Sequence, residues 1–163
     1  MRIGASSAIL LLCAATAAPA AQAPKLDMLA FFTGKTHAEN VIKVVMKKPV
    51  PLVVDSIGGK GDRGDFVLID TVREGDKPVR QRKWIMRQAG PGHFTGTLTD
   101  AVGPVDVAIE GDTAVIRYVM KGGLKIEQQL KLSPDGRRLS NQVVAKKLGM
   151  KFARVEGTVR KLD

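Results

Sequence analysis

The chain is poor in the residues that usually carry catalysis, metal binding or disulfides. Its 163 residues include one cysteine and two histidines, and the aromatic residues are one Trp, one Tyr and five Phe. A single cysteine excludes a disulfide-stabilised scaffold. His37 and His93 lie far apart in the sequence, and no Gly-x-Ser-x-Gly pattern is present, so neither a zinc site nor a serine nucleophile is predicted. We therefore expect a protein without enzymatic activity, cofactor or metal.

The first 23 residues have the composition of a secretory signal peptide. Arg2 supplies a positive charge, residues 8–18 form an apolar run, and residues 21–23 are Ala-Gln-Ala. This order predicts export and cleavage after Ala23. An uncleaved membrane anchor is the alternative, but the apolar run is short and no charged flank follows it. Cleavage leaves residues 24–163 as one periplasmic domain, soluble or peripherally attached to the envelope.

The predicted mature chain has neither cysteine nor a run long enough to span a bilayer. Cys13 lies inside the apolar run and follows the bulky Leu12, where lipid attachment needs a small residue, so we expect it to be discarded with the signal. No later stretch is apolar for long enough to cross a membrane. Hydrophobic residues make up 44% of the chain, too many for a disordered protein. The domain must therefore be held together by a hydrophobic core alone.

After one short helical segment, the pattern of the mature chain is that of β-strands. Residues 26–32 have helical spacing and are followed by Gly34, a typical residue at the end of a helix. From Lys35 onward, runs rich in Val, Ile, Leu and Thr alternate with clusters of Gly, Asp and Pro. These separators predict about ten short strands. Connections this short make neighbouring strands antiparallel.

The strands are predicted to close into an up-and-down barrel. In residues 124–132, Leu124, Ile126, Gln128 and Leu130 share one face, and Lys125, Glu127, Gln129 and Lys131 share the other. One face of this strand is therefore predicted to be buried and the other to be exposed to solvent. About ten such strands form either a barrel or a sandwich. We favour the barrel because closure removes exposed strand edges.

Several short motifs together resemble a bacterial envelope family of unknown function. They are Phe31-Phe32-x-Gly34, Arg82-Lys83-Trp84-Ile85, Asn141, Lys146-Lys147-x-Gly149 and Lys161. Members of that family are often lipoproteins and are thought to have a lipocalin-like, calycin-type barrel. The resemblance covers residues 29–161 and implies the same fold here. It implies no particular activity.

Basic residues dominate the charge of the chain. There are 26 Lys and Arg against 16 Asp and Glu, which gives a net charge of +10. Nucleic-acid binding would need exposed aromatic residues among the basic ones, and most of the aromatics lie in apolar runs, so no nucleic-acid partner is predicted. An exported basic protein instead matches anionic phospholipid or lipopolysaccharide head groups. A basic surface with no partner is the alternative.

One predicted strand combines basic, aromatic and apolar side chains on a single face. In residues 79–87 the period of two places Arg80, Arg82, Trp84 and Met86 together. If this face points into the barrel, an arginine can pair with an acidic head group while the apolar wall receives a tail. Arg117 and Arg154 are candidates to join this interior site. In the alternative, the arginines lie outside with their stems packed over apolar surface.

Two functions follow from these expectations. The first is a non-enzymatic, lipocalin-like periplasmic protein that binds a hydrophobic or amphiphilic, anionic small ligand inside the barrel. The alternative is a basic envelope protein with a filled barrel, which docks on an anionic membrane surface or on a protein partner. The two differ in interior volume, because a ligand needs a cavity of several hundred Å³, roughly 300–1,000 Å³ for small molecules.

Overall fold

The described residues form a closed antiparallel barrel with a short helix at its N-terminus. A computed structural model describes residues 24–162, so the predicted signal peptide and its cleavage site lie outside the described residues. Within them the elements are α1 (Met28–Phe32), β1 (Gly34–Val44), β2 (Val50–Lys60), β3 (Phe66–Glu74), β4 (Arg80–Gly90), β5 (His93–Leu98), β6 (Ala101–Glu110), β7 (Thr113–Met120), β8 (Leu124–Leu132), β9 (Arg138–Lys147) and β10 (Met150–Lys161).

Each strand pairs with its neighbours in sequence, and β1 also pairs with β10 to close the sheet. The predicted all-β class, the number of strands, the up-and-down topology and the closure are therefore confirmed, and a sandwich is excluded. The core follows the predicted alternation. On β8, Ile126 and Leu130 are buried in the interior while Lys125 and Lys131 are exposed.

Helix α1 closes one end of the barrel. The helix is shorter than the predicted 26–32, because the Asp27 side chain accepts a hydrogen bond from the Ala30 N–H at 2.9 Å and caps the N-terminus. Leu26 is extended, and its N–H donates to the Gly111 carbonyl. Gly34 follows the helix with a φ of 87°, as predicted for this position. No helix in residues 24–162 is long and apolar enough to cross a bilayer.

The helix is fastened to the barrel at its C-terminal end. Lys161 Nζ donates to the carbonyl oxygens of Ala30, Phe31 and Thr33 at 3.0, 3.1 and 2.6 Å. These carbonyls have few partners within a helix this short, so a lysine satisfies them well. Gly58 on β2 lies so close to the helix end that an added Cβ would be 2.1 Å from the Phe32 carbonyl oxygen. The C-terminal end of the helix is therefore packed closely against β2 and β10 and closes this end of the barrel.

The other end of the barrel is open. There the hairpin turns β1–β2, β3–β4, β5–β6, β7–β8 and β9–β10 form a rim. Side chains from the strand ends at this rim, including Val44, Arg80, Met120 and Phe152, line the interior space. The barrel is thus a cup, with α1 as its floor and this rim as its mouth.

Candidate ligand-binding cavity

The barrel encloses a cavity of about 430 Å³. This volume lies within the range of small-molecule sites, about 300–1,000 Å³. Met28 and Phe32 of α1 form the floor, and apolar side chains from most strands form the wall. The interior is therefore not filled by side chains.

The face of β4 singled out from the sequence points into this cavity. Arg80, Arg82, Trp84 and Met86 all line it. Because β4 runs from the rim towards the floor, Arg80 lies at the mouth, Arg82 and Trp84 at mid-depth, and the buried Met86 near the floor. The structure places these four side chains on the cavity-lining face of β4, and their role in ligand binding stays a prediction.

A buried carboxylate lies beside Trp84. Asp70 on β3 is 6% exposed. Its Oδ2 accepts a hydrogen bond from Trp84 Nε1 at 2.7 Å, and its Oδ1 accepts one from Ser56 Oγ at 2.8 Å. Both carboxylate oxygens are thus occupied by neutral donors, which stabilise the charge in a buried setting. The indole ring is held in one orientation as a result.

Arg82 is the cation at mid-depth of the cavity. Its side chain is 14% exposed, and its Nε lies 3.3 Å from Asp100 Oδ2. That N–H is not directed at the carboxylate, so among the described residues the buried Nε has no hydrogen-bond partner. Nη2 donates a long bond of 3.4 Å to Tyr118 Oη. The guanidinium also lies 5.2 Å from the centre of the Trp84 ring.

Aromatic side chains hold this arginine in place. Trp84 and Tyr118 meet edge to face, with ring centres 5.6 Å apart and planes at 86°. Arg82 therefore lies against two rings with part of its hydrogen-bonding capacity unused. A guanidinium offers five N–H donors in a fixed plane, and it suits a carboxylate or phosphate that enters from the cavity.

The mouth carries a second group of charges. Arg80 Nη1 donates to Asp100 Oδ2 at 2.8 Å, and Arg80 also lies 3.9 Å from Glu74. Lys77 pairs with Glu74 at 2.5 Å. Asp100 is thus shared by Arg80 and Arg82, and it links the mouth to the cation below it. Lys77, Arg80 and Glu74 line the opening.

The opposite wall carries neutral amides. Gln128 Nε2 donates to Asn141 Oδ1 at 2.8 Å, and Asn141 Nδ2 donates to Asn40 Oδ1 at 2.8 Å. Asn40 Nδ2 in turn donates to the Leu52 carbonyl at 3.3 Å. This chain of bonds runs along one wall of the barrel, from β8 through β9 to β1 and β2, and faces the cavity. It offers a polar surface without charge, opposite the arginine wall.

The predicted interior positions of Arg117 and Arg154 are wrong. Arg117 is exposed and its Nε donates to Glu127 at 2.9 Å, and Arg154 is exposed and pairs with Glu156. The inward face of β7 is that of Ile116 and Tyr118. Both faces of β7 are apolar, so the alternation alone did not identify the inner one. On β10, Ala153, Val155 and Val159 line the interior, and Arg154 alternates with them on the outer face.

Sequence reasoning missed most of the polar groups in the cavity. Asp70 follows a run that is apolar on both faces, which hides its direction. Asn141 and Gln128 carried signals that could have been used: Asn141 belongs to the family-like motifs, and Gln128 is the one polar residue in the predicted inner face of β8. A polar residue on a buried face needs partners, so Gln128 pointed to a polar interior.

The histidines lie outside the cavity. His37 Nδ1 is 2.6 Å from Asp55 Oδ1, and Arg73 hydrogen-bonds the other Asp55 oxygen. The Arg73 hydrogen bond, together with that of His37, lowers the pKa of the Asp55 carboxyl below its usual range. His93 lies 2.6 Å from Asp106. These groups form hydrogen bonds on the barrel surface and do not line the interior space.

Solved structures share this barrel at low sequence identity. The S-type phycobiliprotein lyase CPES from Guillardia theta is similar with a TM-score of 0.65 and 6% identity, over 83% of this chain and 90% of that chain. Rv2717c from M. tuberculosis has a TM-score of 0.60 and 12% identity, over 87% and 99%. A DUF3598-family protein of unknown function from Nostoc punctiforme PCC 73102 has a TM-score of 0.58 and 11% identity, over 90% and 53%. These likenesses confirm the lipocalin-like, calycin-type fold.

No curated protein matches the chain significantly. The resemblance to an uncharacterised family can, however, be made specific. The family described as "Protein of unknown function (DUF3833)" matches residues 8–161, nearly the whole length. The chain therefore belongs to the DUF3833 family.

Proposed function

We propose that this protein is a non-enzymatic, exported binding protein that holds an amphiphilic small molecule with an acidic head group inside its barrel. The observation that carries the proposal is the cavity of about 430 Å³ with Arg82 on its wall, a guanidinium that is 14% exposed, lies against Trp84 and Tyr118 and pairs with Asp100 through Nε alone. A cavity of this size with few, well-placed polar groups is typical of small-ligand sites. The lyase among the structural neighbours supports only the fold.

The distribution of side chains gives the ligand a direction. The floor near Met28, Phe32 and Met86 is apolar and suits a tail. The acidic head then lies higher, beside Arg82, where its oxygens accept from the guanidinium. Asp70 does not compete for Arg82, because its oxygens already accept from Ser56 and Trp84. Asp100 pairs with Arg82 through Nε at 3.3 Å, so the acidic head is expected to bind the guanidinium alongside Asp100.

The charges around the cavity are balanced in number. Lys77, Arg80 and Arg82 line it together with Glu74 and Asp70, and Asp100 pairs with both arginines. The expected preference for an anion therefore depends on the guanidinium of Arg82 inside the cavity and not on a net charge of the lining. The predicted signal peptide supports a periplasmic location for this function, and fatty acids are ligands of the proposed chemical class.

The test uses the only tryptophan of the chain, Trp84, whose fluorescence reports on the cavity directly. Laurate and the uncharged lauryl alcohol serve as matched probes with the same tail. Laurate should bind about tenfold more tightly or better, since a hydrogen bond to a charged group contributes about 1.5–3 kcal/mol. Arg82→Gln should remove this preference while both probes still bind.

Arg87→Gln is the matched control. Arg87 lies on the same strand but is exposed and does not line the cavity, so its loss should leave both affinities unchanged. Arg82→Lys, which keeps the charge, should restore part of the laurate preference. If neither probe alters Trp84 fluorescence, or if the wild type binds both equally well, the proposed function is wrong.

A further inference from the structure

Two neighbouring hairpin tips stand out on the rim of the barrel. One joins β1 to β2 and the other joins β9 to β10. They are neighbours because β1 pairs with β10, with Val44 opposite Ala153, and the Val45 N–H donates to the Phe152 carbonyl at 3.0 Å. We call residues 43–51 and 146–152 together the basic rim.

The basic rim presents large apolar side chains to solvent. Met46 is 100% exposed and Leu148 is 90% exposed. Val45, Met150 and Phe152 beside them are also exposed. Single exposed apolar residues are common on protein surfaces, but five of them on two neighbouring hairpin tips indicate an interaction surface.

At both tips the backbone adopts a conformation that is unfavourable for a large apolar residue. Within residues 24–162, Met46 (φ 61°) and Leu148 (φ 49°) are the non-glycine residues with positive φ. Leu148 and Gly149 form a two-residue hairpin turn in which both φ values are positive. In such turns the preferred sequence is Asn-Gly, so Leu148 stands where Asn would be more favourable. Met46 is the second central residue of a turn closed by Lys47 N–H to Val44 O at 3.0 Å, where glycine is favoured. Met46 and Leu148 are less favourable at these backbone angles than Gly or Asn, which suggests that their side chains have a function.

Lysines surround these apolar tips. The basic rim contains Lys43, Lys47, Lys48, Lys146, Lys147 and Lys151 and no acidic residue. All six are exposed, and none of them forms an ion pair within the part of the chain that the structure describes. Unpaired lysines around apolar side chains match a surface that offers both negative charge and hydrocarbon.

We infer that the basic rim docks on the surface of an anionic phospholipid bilayer. Met46 and Leu148 enter the interfacial region, and the lysines contact lipid phosphates around them. A folded acidic protein could neutralise the lysines, but two projecting, separate apolar tips match a deformable lipid surface better than a preformed groove. Val44 and Phe152 lie in the same strand ends and line the cavity, so docking brings the mouth to the bilayer. That a ligand passes through the mouth depends on the proposed function. Docking of the basic rim on the bilayer does not depend on it.

The test is cosedimentation of the chain 24–163 with vesicles. The wild type should bind vesicles of phosphatidylcholine and phosphatidylglycerol, and bind vesicles of phosphatidylcholine alone much more weakly. Binding should fall by about tenfold or more as salt rises from about 0.05 to about 0.5 M, because salt screens the lysines. Absence of binding to the anionic vesicles overturns the inference and leaves an acidic protein as the occupant to test.

The double variant Met46→Gly, Leu148→Asn separates docking from folding. Gly and Asn suit positive φ, so the variant should be at least as stable as the wild type. It should nevertheless bind anionic vesicles about tenfold more weakly or worse, since two apolar side chains are lost. Ile57→Ser is the matched control, because Ile57 is an exposed apolar residue on the outer face of β2, away from the tips. Equal binding by wild type and double variant, or an equal loss in the control, overturns the inference.

The two proposals fail separately. Arg82→Gln should bind anionic vesicles as the wild type does, and the double variant should bind laurate as the wild type does. Loss of laurate binding with vesicle binding intact would contradict the ligand site alone. The reverse result would contradict docking alone.

Discussion

The most stringent test of the interior geometry is removal of Asp70. The carboxylate is buried, and it accepts from Ser56 Oγ at 2.8 Å and from Trp84 Nε1 at 2.7 Å. In Asp70→Ala both donors lose their partner. A buried polar group left without a hydrogen bond costs about 1–3 kcal/mol of stability. For the Trp84 N–H we expect the low end of that cost, because water in the cavity can accept its hydrogen bond. We therefore expect a loss of about 2–4 kcal/mol in the free energy of unfolding.

Urea unfolding followed by Trp84 fluorescence measures this change. With a slope of about 2 kcal/mol per M of urea, in the middle of the usual range, the midpoint should fall by roughly 1–2 M. Ser56→Ala, which removes only one donor, should cost less. The double variant should cost less than the sum of the two single variants, because Ser56 and Asp70 share a hydrogen bond. An unchanged or higher midpoint for Asp70→Ala would refute the reasoning, since the carboxylate would then be buried at a net cost.

Two further predictions concern the floor of the barrel and its outer surface. Lys161→Met removes three hydrogen bonds to the end of α1, so it should cost about 1–2 kcal/mol and raise hydrogen exchange in the helix before the strands. The lowered pKa of Asp55 contributes stability that is present above the ordinary value of 3.8 and is lost as pH falls through the lowered value. Asp55→Asn should therefore flatten the acid limb of the stability–pH curve, and by less than about 1 kcal/mol because the pair is solvent-exposed. No difference in either curve would contradict the assigned contacts.

The architecture could be predicted from the sequence because its signals are local. Turn residues mark the strand ends, and the alternation on β8 identifies a buried face. On β4 the choice of the inner face stayed open, because Arg80 and Arg82 share a face with Trp84 and Met86. Strands with a clear polar face therefore fix their own orientation in the barrel.

The remainder of the cavity could not be predicted, for two physical reasons. On β7 both faces are apolar, so Arg117 was assigned to the wrong side. On β10 the alternation of Ala153, Val155 and Val159 with Arg154 and Glu156 did indicate the inner face, and the prediction for Arg154 did not use it. The contacts of Asp70 with Ser56 and Trp84 join three strands, and no spacing along the chain encodes them. The strain at Leu148 is likewise invisible without the backbone angles.

Native mass spectrometry of the protein purified from its own cells, followed by extraction and lipid analysis, tests the central claim most directly. We predict one bound amphiphile with an acidic head per folded chain. The adduct should be absent from Ala145→Phe, which fills the cavity beside Ala153, and retained in Arg87→Gln. A folded protein that carries no adduct, and an interior that takes up neither laurate nor lauryl alcohol, would contradict the account.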